Sequence, residues 1–163
     1  MFKSLFLPLI AVAVFITFVG LLSQGKLNNF FPSKATELTV NTKILKINNL
    51  QIDVELAKTN IERAKGLGGR DKLGENSGML FVFDDGSKPT FWMKDTKIAL
   101  DIIWINDKKI IKIDKNVQPE IGIEDSKLIR YSAPSSINYV LEVNAGFSDK
   151  NKLEIGDSVN LIE

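Results

Sequence analysis

The sequence contains no histidine and no cysteine. Their absence excludes Ser-His-Asp and Cys-His nucleophilic catalysis, thiol redox chemistry and zinc sites built on His or Cys. It also excludes a lipoprotein, which needs a cysteine to acylate, and it means that an exported domain would fold without disulfides. Any chemistry must therefore use carboxylates, Lys, Arg, Ser, Thr, Tyr or backbone groups.

An excess of charge of either sign is also missing. Lys and Arg together number 21 and Asp and Glu 20, giving a net charge of +1. Nucleic-acid surfaces usually show a strong basic excess, so we expect no nucleic-acid partner. The chain has neither an Asp-rich calcium loop nor a Gly-Lys-Ser/Thr phosphate loop. We therefore predict no metal site and no cofactor.

Residues 5–22 form an apolar run without charge, flanked by Lys3 and Lys26. As a helix rising about 1.5 Å per residue, this run would span roughly 27 Å, close to the hydrocarbon thickness of a bilayer. A cleaved secretory signal is the alternative, because small residues follow at Ser23 and Gly25. We predict that residues 1–25 are a membrane anchor or signal and that the domain lies outside the cytoplasm, secreted or periplasmic if cleavage occurs.

The remaining chain reads as a juxtamembrane linker over residues 26–37 and a β-rich domain over residues 38–163. Residues 51–56 alternate between apolar and polar side chains, as in a half-buried strand. Thr59 and Glu62 have the spacing of a capping box, and Gly66, Gly68 and Gly69 then end the short helix. We expect a mainly β (α+β) fold, a compact antiparallel β-barrel or sandwich of about seven or eight short strands with one or two short helices.

Two carboxylates interrupt apolar strands. Asp101 lies within residues 98–105, where both faces are otherwise apolar, and Glu142 lies within a strand over residues 139–144. A buried carboxylate needs a partner. Only three arginines occur in the chain, and a planar guanidinium suits such a role. We predict that Asp101 is buried and held by Arg70 or, as second choice, by Arg63.

Trp92 lies beside Lys94 in the segment Phe91-Trp92-Met93-Lys94. A tryptophan next to a lysine can form a stacking platform for a sugar or a base. Such a residue is more often a half-buried lid on the core, and we take this as the expectation.

Five motifs stand in one order along the chain: Glu62-Arg63 with Gly66-Leu67 and Arg70, then residues 78–83 (GMLFVF), 91–96 (FWMKDT), 100–103 (LDII) and 140–147 (VLEVNAGF). Together they resemble the family called domain of unknown function 192. The resemblance implies a small, β-rich, barrel-like domain, often behind a signal or anchor, and no established activity. The chain departs from the family pattern at Gly68, where Met is typical, at Asp95, where Asn is common, and at Ala99, where Pro is common.

The leading functional hypothesis is a non-catalytic ligand-binding or scaffold module of the cell envelope. By likeness to the family, the ligand-binding candidates are Arg63, Arg70, Trp92, Lys94, Thr96, Asp101 and Glu142. The partners expected are the membrane through residues 5–22 and an envelope protein, a saccharide or a small anionic ligand. The alternative is a carboxylate-based hydrolase or lyase that uses Asp101 and Glu142 as an acid/base pair.

Overall fold

A computed structural model describes residues 42–83 and 86–162. Their nine strands and two short helices confirm a mainly β fold. In chain order the elements are β1 (Thr42–Ile47), β2 (Leu50–Ala57), α1 (Asn60–Lys65), β3 (Ser77–Val82), β4 (Thr90–Phe91), β5 (Leu100–Asn106), β6 (Lys109–Val117), β7 (Tyr131–Ser132), β8 (Tyr139–Asn144), α2 (Phe147–Lys150) and β9 (Val159–Ile162).

Seven strands form one sheet in the order β6-β5-β8-β3-β2-β1-β9, and β4 and β7 form a small second sheet. The large sheet is mixed, because β2 and β3 pair in parallel while its other neighbours pair antiparallel. The other pairs follow the expected antiparallel arrangement, and the crossover through α1 makes the one parallel pair of this sheet possible. The two sheet edges meet at an isolated bridge between Lys109 and Ser158, beside which Ile110 and Val159 make further backbone hydrogen bonds across the gap. The sheet is thus strongly curled and sandwich-like, without the continuous ladder of a closed barrel.

Both faces of the large sheet are covered along strand β5. Its residues from Leu100 to Ile105 are all buried, as the apolar run on both faces predicts. Ile103 and Ile105 belong to a core cluster enclosed by the curled sheet. Ile102 and Trp104 belong to a second cluster on the opposite face, beneath β4 and the chain after α1. A cavity borders the margin of this second cluster.

Helix α1 begins and ends as its sequence predicts. The side chain of Thr59 accepts a hydrogen bond from the amide of Glu62, and the Glu62 carboxylate accepts one from the amide of Thr59. Gly66 ends the helix with a φ of 47°, a conformation that side chains with a Cβ rarely adopt. The helix connects β2 to β3 and lies beside the second core cluster.

The predicted anchor at residues 5–22 and the predicted linker at residues 26–37 lie outside the described residues. Within residues 42–83 and 86–162, no helix combines the length and the apolar character needed to cross a bilayer.

Candidate functional site

A cavity of about 230 Å³ opens between α1, β3 and β4. We call it the Glu142 pocket, after the carboxylate in its wall. Its lining comes from three parts of the chain that are distant in sequence: the end of α1, the strand β3, and the segment from Pro89 to Thr96, together with one residue of β8. A cavity of this size suits a small ligand.

Glu142 is the unusual residue of this pocket. It faces the second core cluster from β8, with Met79 of β3 and Ile102 of β5 directly opposite in the ladder. The residue is only 5% exposed, and its carboxyl group receives no hydrogen bond from the described residues. Its oxygens reach the cavity, whereas the fully enclosed side-chain atom without a partner among the described residues is Ser148 Oγ. Burial raises the pKa of Glu142 to about 8, because water no longer stabilises the charged form. At neutral pH the pocket therefore holds a protonated carboxylic acid.

Aromatic rings form the apolar part of the pocket. Phe81 and Phe91 meet edge to face with their centroids 4.8 Å apart, and Phe83 lies 6.4 Å from Phe91. Trp92 also lines the pocket but is 45% exposed, so it does not cap the core as we expected. It follows β4 directly in the chain, and the guanidinium carbon of Arg130 lies 4.4 Å from the centre of its ring. Its neighbour Met93 takes the buried position instead.

Arg63 lines the pocket, but its guanidinium is already engaged. One of its nitrogens donates to the carbonyl oxygens of Lys58 and Val82 at 2.5 and 2.7 Å. The other donates to the side chain of Asn60 at 2.6 Å, and the group lies over the ring of Phe83. Arg63 thus fastens α1 to the end of β3, and its first role is to hold the pocket wall in place.

A wider cavity, of about 440 Å³, adjoins the Glu142 pocket. We call it the outer recess; it shares Ala64, Lys65, Trp92 and Lys94 with the pocket and adds Gly68 and Asp95. The Lys94 ammonium donates to Asp125 at 2.6 Å, which raises the pKa of Lys94. Lys65 has no ion-pair or hydrogen-bond partner for its ammonium within residues 42–83 and 86–162.

Thr96 is buried at the pocket wall, and its hydroxyl donates to the backbone oxygen of Lys94 at 3.3 Å. This bond closes the turn after β4, in which Asp95 adopts a φ of 55°. Asp and Asn tolerate this left-handed conformation better than most residues do. The family commonly has Asn at this position, and Asp95 instead places a negative charge close to Lys94.

Asp101 is fully buried, as predicted, but no arginine holds it. Its carboxylate accepts three backbone N–H bonds, from Asn116 at 2.9 Å, Gly146 at 3.1 Å and Ser148 at 2.8 Å. These amides join the end of β6 to the start of α2 and compensate the buried charge without a basic side chain. The prediction of an arginine partner was therefore wrong.

Arg70 pairs instead with Glu55 of β2, through two parallel bonds of 2.5 Å. This bidentate contact raises the pKa of Arg70 and joins the chain after α1 to the sheet. Neither Arg70 nor Asp101 lines the Glu142 pocket, whereas the other five candidates do: Arg63, Trp92, Lys94, Thr96 and Glu142. Asp101 and Glu142 point to opposite faces of the large sheet, so they do not form the acid/base pair of the alternative hypothesis.

Several pocket residues were missed in the sequence. Phe81 and Phe83 share one face of a strand-like run, but alternation does not distinguish a pocket wall from core. Lys65 carried no signal beyond its place in the last turn of a short helix. Groups of three or more Asp or Glu side chains with the arrangement of a metal site do not occur in the described part of the chain.

Comparisons with known proteins agree with the motifs. The family DUF192, described as "Uncharacterized ACR", matches residues 43–161. A protein of unknown function from Novosphingobium aromaticivorans is 31% identical, with a TM-score of 0.64 over 73% of this chain and 83% of that chain. A "putative transcription regulator" from Sinorhizobium meliloti is 27% identical, with a TM-score of 0.69 over 77% of this chain and 97% of that chain. No curated protein matches. The chain belongs to the DUF192 family of uncharacterised proteins.

Proposed function

We propose that the domain is a non-catalytic binding module for a small ligand that enters the Glu142 pocket. The observation that carries this proposal is the carboxyl group of Glu142, which is buried, lacks a hydrogen-bond partner among the described residues and opens into a cavity. An unpartnered buried carboxyl group destabilises a fold, and a bound ligand would provide the missing partner. The aromatic walls would supply most of the contact area.

Binding is favoured over catalysis by what surrounds Glu142. The second carboxylate expected for hydrolysis, Asp101, is on the other face of the sheet, with its oxygens occupied by amides. A proton-transfer enzyme that uses Glu142 alone is the second candidate, since a carboxyl group with a pKa of about 8 can give and take protons at neutral pH. Such an enzyme would convert its ligand, and a Glu142→Gln variant would bind the ligand without converting it.

The cell envelope is the proposed place of action. Residues 5–22 would hold the domain at the outer face of the membrane, or would be removed as a signal and leave it periplasmic or secreted. The molecules available there include saccharides, small organic ions and envelope proteins. Protease added to intact spheroplasts should digest the domain in the membrane fraction. Full protection until the membrane is opened would contradict this orientation.

This chain lacks two features of a nucleic-acid-binding protein, although the Sinorhizobium protein is described as a putative transcription regulator. The net charge of +1 gives no basic surface excess. The helices of the described residues span six and four residues, Asn60–Lys65 and Phe147–Lys150, and both are short for a helix that reads the major groove.

A ligand screen against the full-length protein tests the proposal. Thermal shift with amino acids, amines, organic acids and saccharides should find at least one class that stabilises the wild type. Glu142→Leu keeps the size and removes the polar group, so it should remain folded and lose that response. A library in which every compound affects both proteins equally would overturn the proposal.

Trp92 provides an independent readout of the same site. Because its ring is exposed and lines the pocket, Trp92→Phe should change the free energy of unfolding by less than about 0.5 kcal/mol. The same change should weaken binding of any ligand found in the screen. A ligand that binds the wild type and Trp92→Phe with equal affinity would place the binding site elsewhere.

A further inference from the structure

At the inner end of the Glu142 pocket, the described residues supply no hydrogen-bond donor to the carboxyl group. This end of the pocket offers that carboxyl group and aromatic rings. Arg63 also lines the pocket, but its guanidinium is bonded to Lys58, Asn60 and Val82. The nearby hydroxyl of Thr96 is not available, because it donates to the backbone of Lys94. A ligand ammonium group would fit both features. It would donate a charge-assisted hydrogen bond to Glu142 and would be attracted by the faces of aromatic rings such as Phe81 and Phe91.

The mouth of the site has the opposite character. Lys65 and Lys94 line both the pocket and the outer recess. Lys94 is balanced by Asp125 and lies near Asp95, so its charge is partly neutralised. Lys65 is exposed and has no partner within the described residues, which leaves it available to an anionic group. A simple amine would meet this cation on entry, whereas a molecule that also carries an anionic group would contact it favourably.

From these two ends of one site we infer that the ligand is a small zwitterion, with an ammonium group that binds Glu142 and an anionic group that binds Lys65. The inference rests on the proposed function and names its ligand class. The Glu142 pocket, of about 230 Å³, would hold the amine and its carbon chain. The outer recess, beside Trp92, would hold the anionic end.

Binding of an ammonium group to Glu142 should be coupled to the release of a proton. An ammonium group binds the ionised carboxylate, so a protonated Glu142 must release its proton when the ligand enters. Because the pKa of Glu142 is about 8 before a ligand binds, binding at pH 7 should release close to one proton. Affinity should then rise about tenfold between pH 7 and pH 9, while the ligand amine is still charged. A ligand carboxylate at Glu142 would do the reverse and favour the protonated state.

Calorimetry on the full-length protein tests the inference with matched probes. The probes are ω-amino acids of three to six carbons, together with alkylamines and alkyl carboxylic acids of the same chain lengths. An ω-amino acid should bind more tightly than either single-charge analogue. Titrations at pH 7 in buffers with different ionisation enthalpies should show release of close to one proton.

Matched variants separate the two ends of the site. Glu142→Gln should abolish proton release and weaken the amino acid by at least tenfold. Lys65→Ala should remove the preference for the amino acid over the alkylamine, and Lys72→Ala, at an exposed lysine outside the pocket, should change neither. A Glu142-dependent ligand that is neutral or acidic and binds without proton release would overturn the zwitterion and leave the binding function standing. If no compound depends on Glu142, both proposals fail.

Discussion

Glu142 couples the stability of the folded domain to pH, because its carboxyl group leaves water when the chain folds. Its pKa is about 8 in the folded state and about 4.3 in an unfolded chain. Between these values the folded state holds a proton that the unfolded state releases, so stability falls as pH rises. Above the folded pKa the loss is complete and amounts to something on the order of 5 kcal/mol.

The test of this coupling is urea unfolding of the ligand-free protein between pH 5 and pH 9. The chain has no histidine, so no other side chain has an ordinary pKa near neutrality. Glu142→Gln should match the wild type near pH 5 and exceed it in unfolding free energy by several kcal/mol at pH 9. Parallel curves for the two proteins would show that Glu142 does not become buried in its neutral form.

We expect a different effect on stability from changes at Asp101, because its partners are backbone amides and not an arginine. Asp101→Ala leaves three N–H donors without their acceptor and should cost roughly 3–5 kcal/mol of unfolding free energy. Asp101→Asn keeps the shape and loses the charge, so a smaller but clear loss is expected. In a double-mutant cycle, Asp101 and Arg70 should show no coupling beyond experimental error. A coupling above 1 kcal/mol would restore the arginine partner.

At the scale of elements, the capping box of α1 determines how firmly one wall of the pocket is held. Thr59→Ala removes the side-chain bond to the amide of Glu62 and should cost about 1 kcal/mol in urea unfolding. Thr59→Ser keeps an oxygen at that position and should recover most of the loss. Equal stability of the alanine and serine variants would mean that Arg63, through its bonds to Lys58 and Val82, holds the helix without the cap.

Elements with a local signal were predictable from the sequence. The predicted strand at residues 139–144 has the bounds of β8, and the alternation at residues 51–56 falls within β2. Strand β4 is short, because it ends at Phe91 and the chain then turns through Asp95. The parallel pairing of β2 with β3 was missed, because pairing between distant strands leaves no local pattern.

The site was predictable only in part for the same physical reason. Glu142 and Asp101 were recognised as polar groups in apolar strands, and both are buried. The face of the sheet on which each lies depends on register and on what covers that face, which the chain order does not reveal. Amide donors such as those that hold Asp101 have no side-chain identity, so a search for partners among the arginines could not find them.

At the scale of the whole molecule, the curled sheet makes β1 indispensable. This strand pairs with β2 on one side and with β9 on the other, so it joins the first and last strands of the described residues within one sheet. Leu45 and Ile47 of β1 are buried in the core cluster that the sheet encloses. Loss of β1 would expose the edges of β2 and β9 and open this cluster to water.

The folded domain should not need the residues before 38. The core residues of both clusters lie between Leu45 and Val159, so a chain that starts at residue 38 keeps every one of them. Without the first 37 residues, the domain should be soluble and show the circular-dichroism spectrum of a β-rich fold, with cooperative thermal unfolding. A chain that starts at Leu50 lacks β1 and should be unfolded or aggregated, since burial of Leu45 and Ile47 alone contributes roughly 3–6 kcal/mol.

If the chain that starts at residue 38 were also unstructured, residues before 38 would have to belong to the fold. A folded second truncation would show that β2 and β9 can pair directly and that the sheet does not depend on β1.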